Sequence, residues 1–411
     1  MKRGRLAFLT GTHIVNDLYQ GAVPALLPFL MSQRHYSYTA VSGIALAASG
    51  LSSVVQPLFG LLVDRRRCAW LVPAGFLTAA AGITGAGLAD SYLLTWLCAA
   101  LAGIGIAAYH PAATQQARAA GGRSQRAMSL FSVGGTLGAS LAPALVTLVV
   151  GSYGLNGTWL LAVPALVTAA IWAAQGRRRR TRGPAPAAAP SADRASANAT
   201  HRDDWRAFGR LVATIVAWSL PYVTVTSMLA LHIRRDLHGS AGMGATALTL
   251  LTLAGAAGTL LGGWLGDRHG RLTPIRAGYA LAIPAMAVVA FAPSVAVAMV
   301  GAVAFGLAMF LPFAPQVTLA QDYLPTRPGT ASGLTLGLAM SVGGLAAPAL
   351  GRLADAQGLR AVLALVLGVL ALALVGALRL HDRVLPEHKA EEGSAGSADE
   401  PVPGGAVSEG R

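Results

Sequence analysis

Four polar residues interrupt the first apolar run of the chain, in the stretch GTHIVNDLYQGAVPALLPFL: His13, Asn16, Asp17 and Gln20. At 3.6 residues per turn they fall within roughly 100° of one another, one polar stripe on an oily cylinder. Asp17 is the clearest acid at membrane depth, and no Glu precedes Glu387. A charge there costs about 2.5–3.5 kcal/mol on insertion scales, so such groups normally face a cavity and serve function. Asp17 is therefore suited to bind a proton from one side and lose it to the other. His13, one turn earlier, can share or relay that proton, because an imidazole titrates near neutrality; it can equally be a hydrogen-bonded packing residue. The amides of Asn16 and Gln20 suit a polar substrate or a bond to a neighbouring helix.

Other candidates lie beside prolines. His110 precedes Pro111, Gln56 precedes Pro57, and Pro312 and Pro315 accompany Gln316. Proline frees a backbone carbonyl one turn earlier, which membrane helices tolerate where protein or water satisfies it. Cavity-facing side chains at such breaks are candidate binding groups. The equivalent region of the second half, AWSLPYVTVTSM, offers Ser219, Tyr222 and Thr224 but no acid, so a proton site would belong to the N-terminal half. No cluster with metal-ligand spacing, nucleophile elbow or phosphate-binding Gly-rich loop is read. No metal, cofactor or enzymatic activity is expected.

The elements that must position these residues are apolar throughout. Of 411 residues 54% are hydrophobic and only 12% charged, against about 25% charged in a soluble domain. Segments of about the 20 residues a bilayer requires recur twelve times. They centre on residues 6–30, 40–62, 69–89, 93–115, 127–150, 157–175, 207–231, 243–266, 273–292, 295–318, 329–351 and 359–380. The expected fold is an all-α membrane protein, and no cleavable signal peptide is read. The net charge of +14 does not point to nucleic acid. Basic clusters at Lys2 to Arg5, Arg65 to Arg67, Arg118 to Arg126, Arg177 to Arg180 and Arg268 to Arg276 all fall on one side of a twelve-span arrangement. By the positive-inside rule both termini are cytoplasmic. Cys68 and Cys98 then lie on opposite sides and form no disulfide.

A Pro/Ala/Ser-rich break over residues 176–206 reads as a flexible cytoplasmic linker, and residues 381–411 as a disordered cytoplasmic tail. They leave two six-helix bundles, residues 1–175 and 207–380. The bundles resemble each other. Asp64 in GLLVDRRR and Asp267 in GWLGDRHGR are 203 residues apart (267 − 64), and Pro143 and Pro348, each in a Gly-x-x-x-Ala-Pro pattern, 205 apart (348 − 143). Two matches at nearly one offset indicate duplication. The small residues Gly134, Gly138 and Gly343 give faces for close helix packing.

With twelve spans, the loop Gly263, Asp267, Arg268, Gly270, Arg271, repeated less completely as Gly60, Asp64, Arg65, resembles the signature of the major facilitator superfamily. Arg67 stands where that loop usually has glycine. HIVNDLYQGAVPALLP, SSVVQPLFGLLVD, YHPAA and FSVGGTLGASLAP are similar to the fosmidomycin-resistance efflux family within it. Ala99 stands where many drug antiporters carry an arginine. The resemblance implies gating by the two loops, with Asp64 docked near Thr330 and Asp267 near Arg126. It further implies a monomeric, proton-coupled antiporter in the cytoplasmic membrane, exporting a small toxic compound such as a phosphonate antibiotic. The alternative is a proton-coupled symporter importing a metabolite. The expected partners are substrate, protons and membrane lipid.

Overall fold

The computed structural model describes residues 3–66, 68, 70–122, 124–181 and 202–383. Much of the expected linker, nearly all of the expected tail, Arg67 and the side chain of Pro348 lie outside the described residues. Every regular element described is a helix: α1 (Arg3–Arg34), α2 (Tyr38–Arg65), α3 (Leu71–Leu88), α4 (Tyr92–Gly121), α5 (Gln125–Tyr153) and α6 (Val163–Thr181), entered through a 3₁₀ segment, Leu155–Ala162. After the linker come α7 (Trp205–Arg235), α8 (Ala241–His269), α9 (Leu272–Ala290), α10 (Val295–Phe310), α11 (Phe313–Tyr323), α12 (Pro328–Gln357) and α13 (Leu359–Leu378). Pro312 separates α10 from α11, so the two make one broken span and the rods number twelve. Ten of them are long and apolar enough to cross a membrane; α1, which carries the polar stripe, and α12 are the others. Leucines on the outer surface, Leu148 at 67% and Leu372 at 70% exposed, are mostly uncovered by protein, as a lipid-facing surface requires.

The duplication is visible in how the helices begin. Ser37 caps α2 and Ser240 caps α8, each hydroxyl accepting a backbone N–H three residues on. Ser91 and Ser294 do the same for α4 and α10. Both pairs are 203 residues apart (240 − 37 and 294 − 91). Each cap satisfies an N–H that the first turn leaves without an intrahelical partner.

Each half has its own hydrophobic core, centred on Tyr19, Phe76 and Tyr109 in the first and on Trp218, Tyr279 and Phe305 in the second. In the first half α1 packs on α5 and α4, and α7 packs on α12 and α13 in the second. The halves meet through α2 against α12 and α5 against α8. The free thiols of Cys68 and Cys98 make no disulfide.

Candidate functional site

The site begins with how closely α1 approaches α5. A Cβ on Gly134 would stand 2.8 Å from the Thr10 carbonyl, and one on Gly138 would collide with that of Ile14. The missing side chains let the two backbones nearly touch, the use small residues have in membrane helices. Gly135 lies opposite the polar stripe. A Cβ there would strike the Asp17 carboxylate and come within 2.8 Å of His13 Nε2.

Hydrogen bonds then fix the side chains. His13 Nδ1 donates to the Phe131 carbonyl at 2.7 Å, since a carbonyl can only accept. The His13 ring stacks on that of Phe131 at 4.3 Å. Its other nitrogen, Nε2, is 3.4 Å from Asp17 Oδ2. The Asn16 amide nitrogen donates to Asp17 Oδ1 at 3.0 Å and lies 3.3 Å from His110 Nδ1. An NH₂ group only donates, so this bond assigns the His110 proton to Nε2. That Nε2 is 3.6 Å from Asp17 Oδ1. One carboxylate is thus held between two imidazoles, contributed by α1 and α4, with an amide fastening it to the second.

These residues reach a cavity of about 450 Å³ between the halves, whose wall includes His13, Asp17, Gln20, Gln56, His110 and Tyr222. Two expected binding residues sit elsewhere. Asn16 is 2% exposed and stands behind the wall, bracing Asp17 and His110. Gln316 faces the core of the second half, its amide donating to the Tyr279 hydroxyl at 2.7 Å. Ser219 and Thr224 are also turned to protein: Ser219 accepts from the Gly343 N–H and Thr224 donates to the Leu220 carbonyl. The expectation that no cluster has metal-ligand spacing is corrected. Donor atoms of His13, Asp17 and His110 all lie within 4.8 Å of one another. His-x-x-x-Asp places two donors on one helical face, and only the packing of α4 on α1 supplies the third.

The opposite wall is aromatic. Trp218 and Tyr222 stack at 5.1 Å, Phe310 stands edge-on to both at 5.8 and 5.4 Å, and Phe313 completes the group. The Trp218 indole N–H is fixed on the Met309 carbonyl at 2.7 Å. Sequence reasoning picked out only Tyr222. The repeat offset relates two more of them to the polar cluster: Trp218 and Tyr222 stand 205 residues after His13 and Asp17, and Phe313 stands 203 after His110. The packing matches too, because a Cβ on Gly343 would meet the Ser219 carbonyl at 2.5 Å where one on Gly138 meets that of Ile14. The His–Asp–His cluster of one half occupies the place of a Trp–Tyr–Phe cluster in the other.

At the face bearing the basic loops, two carboxylates join the halves. Asp64 accepts from the backbone N–H groups of Gly329 and Thr330, both at 2.7 Å, and from the Thr330 hydroxyl at 2.6 Å. Asp267 accepts from the Gln125 and Arg126 N–H groups at 2.5 and 3.2 Å and from the Ser124 hydroxyl at 3.0 Å. Each acid thus caps the first turn of a helix in the other half, where the N–H groups and helix dipole favour negative charge. Gly60 and Gly263 allow the approach: a Cβ on either would collide with Gly329 or Ser129. Gly270, at φ +80°, ends α8 in a conformation that favours glycine, and Arg268 lies over the Trp264 ring. Arg65 is exposed at the end of α2.

A third junction was not anticipated. Asp322, at the end of α11, accepts from Arg118 of α4 at 3.2 Å and from Arg271 at 2.5 Å. Arg271 also donates to Asp382 at 2.7 Å and to the Arg383 carbonyl. Burial alone would lower the basicity of this guanidinium, but Asp322 and Asp382 outweigh it and hold its pKa above the ordinary value. An acid ten residues past Pro312, at the end of the broken span, was the available signal.

Residues 9–348 match the family model of the Major Facilitator Superfamily. The chain belongs to that superfamily. Over 379 residues it is 30% identical to an uncharacterized MFS-type transporter of Bacillus subtilis, covering 90% of this chain and 92% of the relative. It is also 30% identical, over 360 residues, to the fosmidomycin resistance protein of Escherichia coli, covering 86% of each. The fold is that of a solved Escherichia coli fucose:proton symporter, with a TM-score of 0.73 at 15% identity over 92% of this chain and 98% of that one. As a major facilitator protein with many apolar helices the chain is a multi-pass membrane transporter, and the cavity between its halves lies where such proteins bind their substrates.

Proposed function

We propose that the protein is a proton-coupled exporter of a small toxic compound, working as a monomer by alternating access. The observation that carries the reading is the placement of Asp17 on the cavity wall, between His13 and His110, with the substrate space beside it. The direction of transport is drawn from the relative named for fosmidomycin resistance. In this reading the basic face and both termini are cytoplasmic, and Asp64 and Asp267 form the inner gate. With that gate open, substrate enters from the cytoplasm and the Asp17–His13 pair gives up its proton. With it closed, a proton from outside reloads the pair and substrate leaves. Gln20, Gln56, His110 and Tyr222 contact the substrate.

The test is growth of an efflux-deficient bacterium against a compound panel that includes fosmidomycin. Wild-type protein, Asp17→Asn at equal expression and empty vector are compared. Resistance with wild type that disappears in Asp17→Asn supports the reading. Resistance that survives the substitution removes Asp17 from the mechanism, and greater accumulation of a panel compound in cells carrying wild-type protein reverses the direction.

A further inference from the structure

We propose that His13, Asp17 and His110 bind a divalent late first-row metal ion, of the zinc, nickel or cobalt class, with its open coordination positions facing the cavity. The inference rests on the reading of this cavity as the transport site, and it names what the site carries.

Donor spacing is the first ground. Two ligands about 2.0–2.1 Å from one tetrahedral ion stand about 3.3–3.4 Å apart. Asp17 Oδ2 is 3.4 Å from His13 Nε2, and Asp17 Oδ1 is 3.6 Å from His110 Nε2. One carboxylate bridges the gap to each imidazole, and all three donors lie within 4.8 Å of one another, so an ion that touches all three draws the two imidazoles together. Two imidazoles and one carboxylate, with remaining positions open, is a donor set that takes borderline divalent cations rather than magnesium or calcium.

The outer contacts are the second ground. The Nδ1–H of His13 is held by the Phe131 carbonyl at 2.7 Å, which leaves Nε2 as the ligating nitrogen, as in the second shell of metal sites. Gly135 keeps the space in front of His13 and Asp17 clear of a side chain. The three side chains are 12%, 15% and 10% exposed, so each reaches the cavity from a mostly covered position. At about 450 Å³ the cavity far exceeds a bare ion, and the space takes the donor atoms of a chelating organic anion.

Asn16 must turn for this to happen. Its NH₂ now donates to Asp17 and to His110 Nδ1. Metal on His110 Nε2 moves that ring's proton to Nδ1, and the amide must then present its oxygen. The His110 proton is relocated and not lost.

The experiment uses the full chain, purified in detergent through a histidine-free tag and titrated with Co²⁺ alone. Visible d–d absorption and calorimetry are the readouts. Wild type is expected to bind one ion saturably. His110→Gln should weaken binding by at least about tenfold, and the double variant His13→Ala/His110→Gln should show no d–d band. Asn16→Asp supplies a fixed acceptor for the His110 Nδ1–H and should tighten binding by about tenfold, a gain that misfolding cannot imitate. No saturable binding by wild type, or equal affinity in the double variant, overturns the proposal. If that occurs while resistance still depends on Asp17, the export reading stands without the metal. If metal binds as expected but no panel compound is resisted, the export reading fails and the metal site remains.

Discussion

At the scale of single residues, most of the cavity chemistry concerns how Asp17 is held. Asn16 and Gly135 matter because of what they leave in place rather than what they touch in a substrate. Gly135→Ala adds one methyl group against the carboxylate and His13 Nε2. We expect expression near wild type but a loss of resistance comparable to Asp17→Asn, measured in the same growth assay. Tyr19, fully buried, donates to the Leu161 carbonyl at 2.6 Å and accepts from the Ala165 N–H at 3.0 Å, tying α1 to the entry of α6. Tyr19→Phe leaves both groups without this partner, and the expected cost is about 1–3 kcal/mol, read as a lower melting temperature in detergent. The polar stripe was legible from sequence because helical periodicity alone puts His13, Asn16, Asp17 and Gln20 on one face. Which of them meets the cavity was not, since Asn16 is covered by α4, a contact no local pattern encodes. Gln316 was misplaced for a similar reason: a proline break says that the backbone changes course, not which way the next side chain points.

At the scale of elements, one helical frame is used twice with different contents. The capping serines, the close α1–α5 and α7–α12 contacts and the two docking acids recur at offsets of 203 or 205 residues. Repeats in caps, loops and small residues are legible because few residue types can serve there. The aromatic wall was harder to read, since Trp218, Phe310 and Phe313 match any apolar stretch until the fold pairs them. The docking acids make the prediction at this scale. In a chain with Cys68 and Cys98 replaced by Ser, a cysteine at cavity residue 53 reports access to the cavity. Asp64→Asn keeps an acceptor but gives up the charge that two N–H groups and a hydroxyl hold. Alkylation from the basic face should therefore speed up several-fold over the parent in inverted vesicles. An unchanged rate would mean that Asp64 only ornaments a contact made by other residues.

At the scale of the whole molecule, three carboxylates among the described residues join the halves on one face: Asp64 on α12, Asp267 on α5, and Asp322 on Arg118. The last belongs to a chain of charges that continues through Arg271 to Asp382 and Arg383, so the segment after α13 is fastened into the same junction. A double-mutant cycle with Arg118→Gln and Asp322→Asn is expected to give a coupling of about 1.5–3 kcal/mol, measured from detergent melting. The three joints share one property. The two docking acids are held by backbone N–H groups at 2.5 to 3.2 Å, and the side chains of the third are only 16% and 10% exposed. Dissolved ions screen charges over about 10 Å at 0.1 M salt and have little hold on contacts this short. A rise in salt on the basic face would therefore leave these joints in place, whereas joints built from exposed ion pairs would loosen.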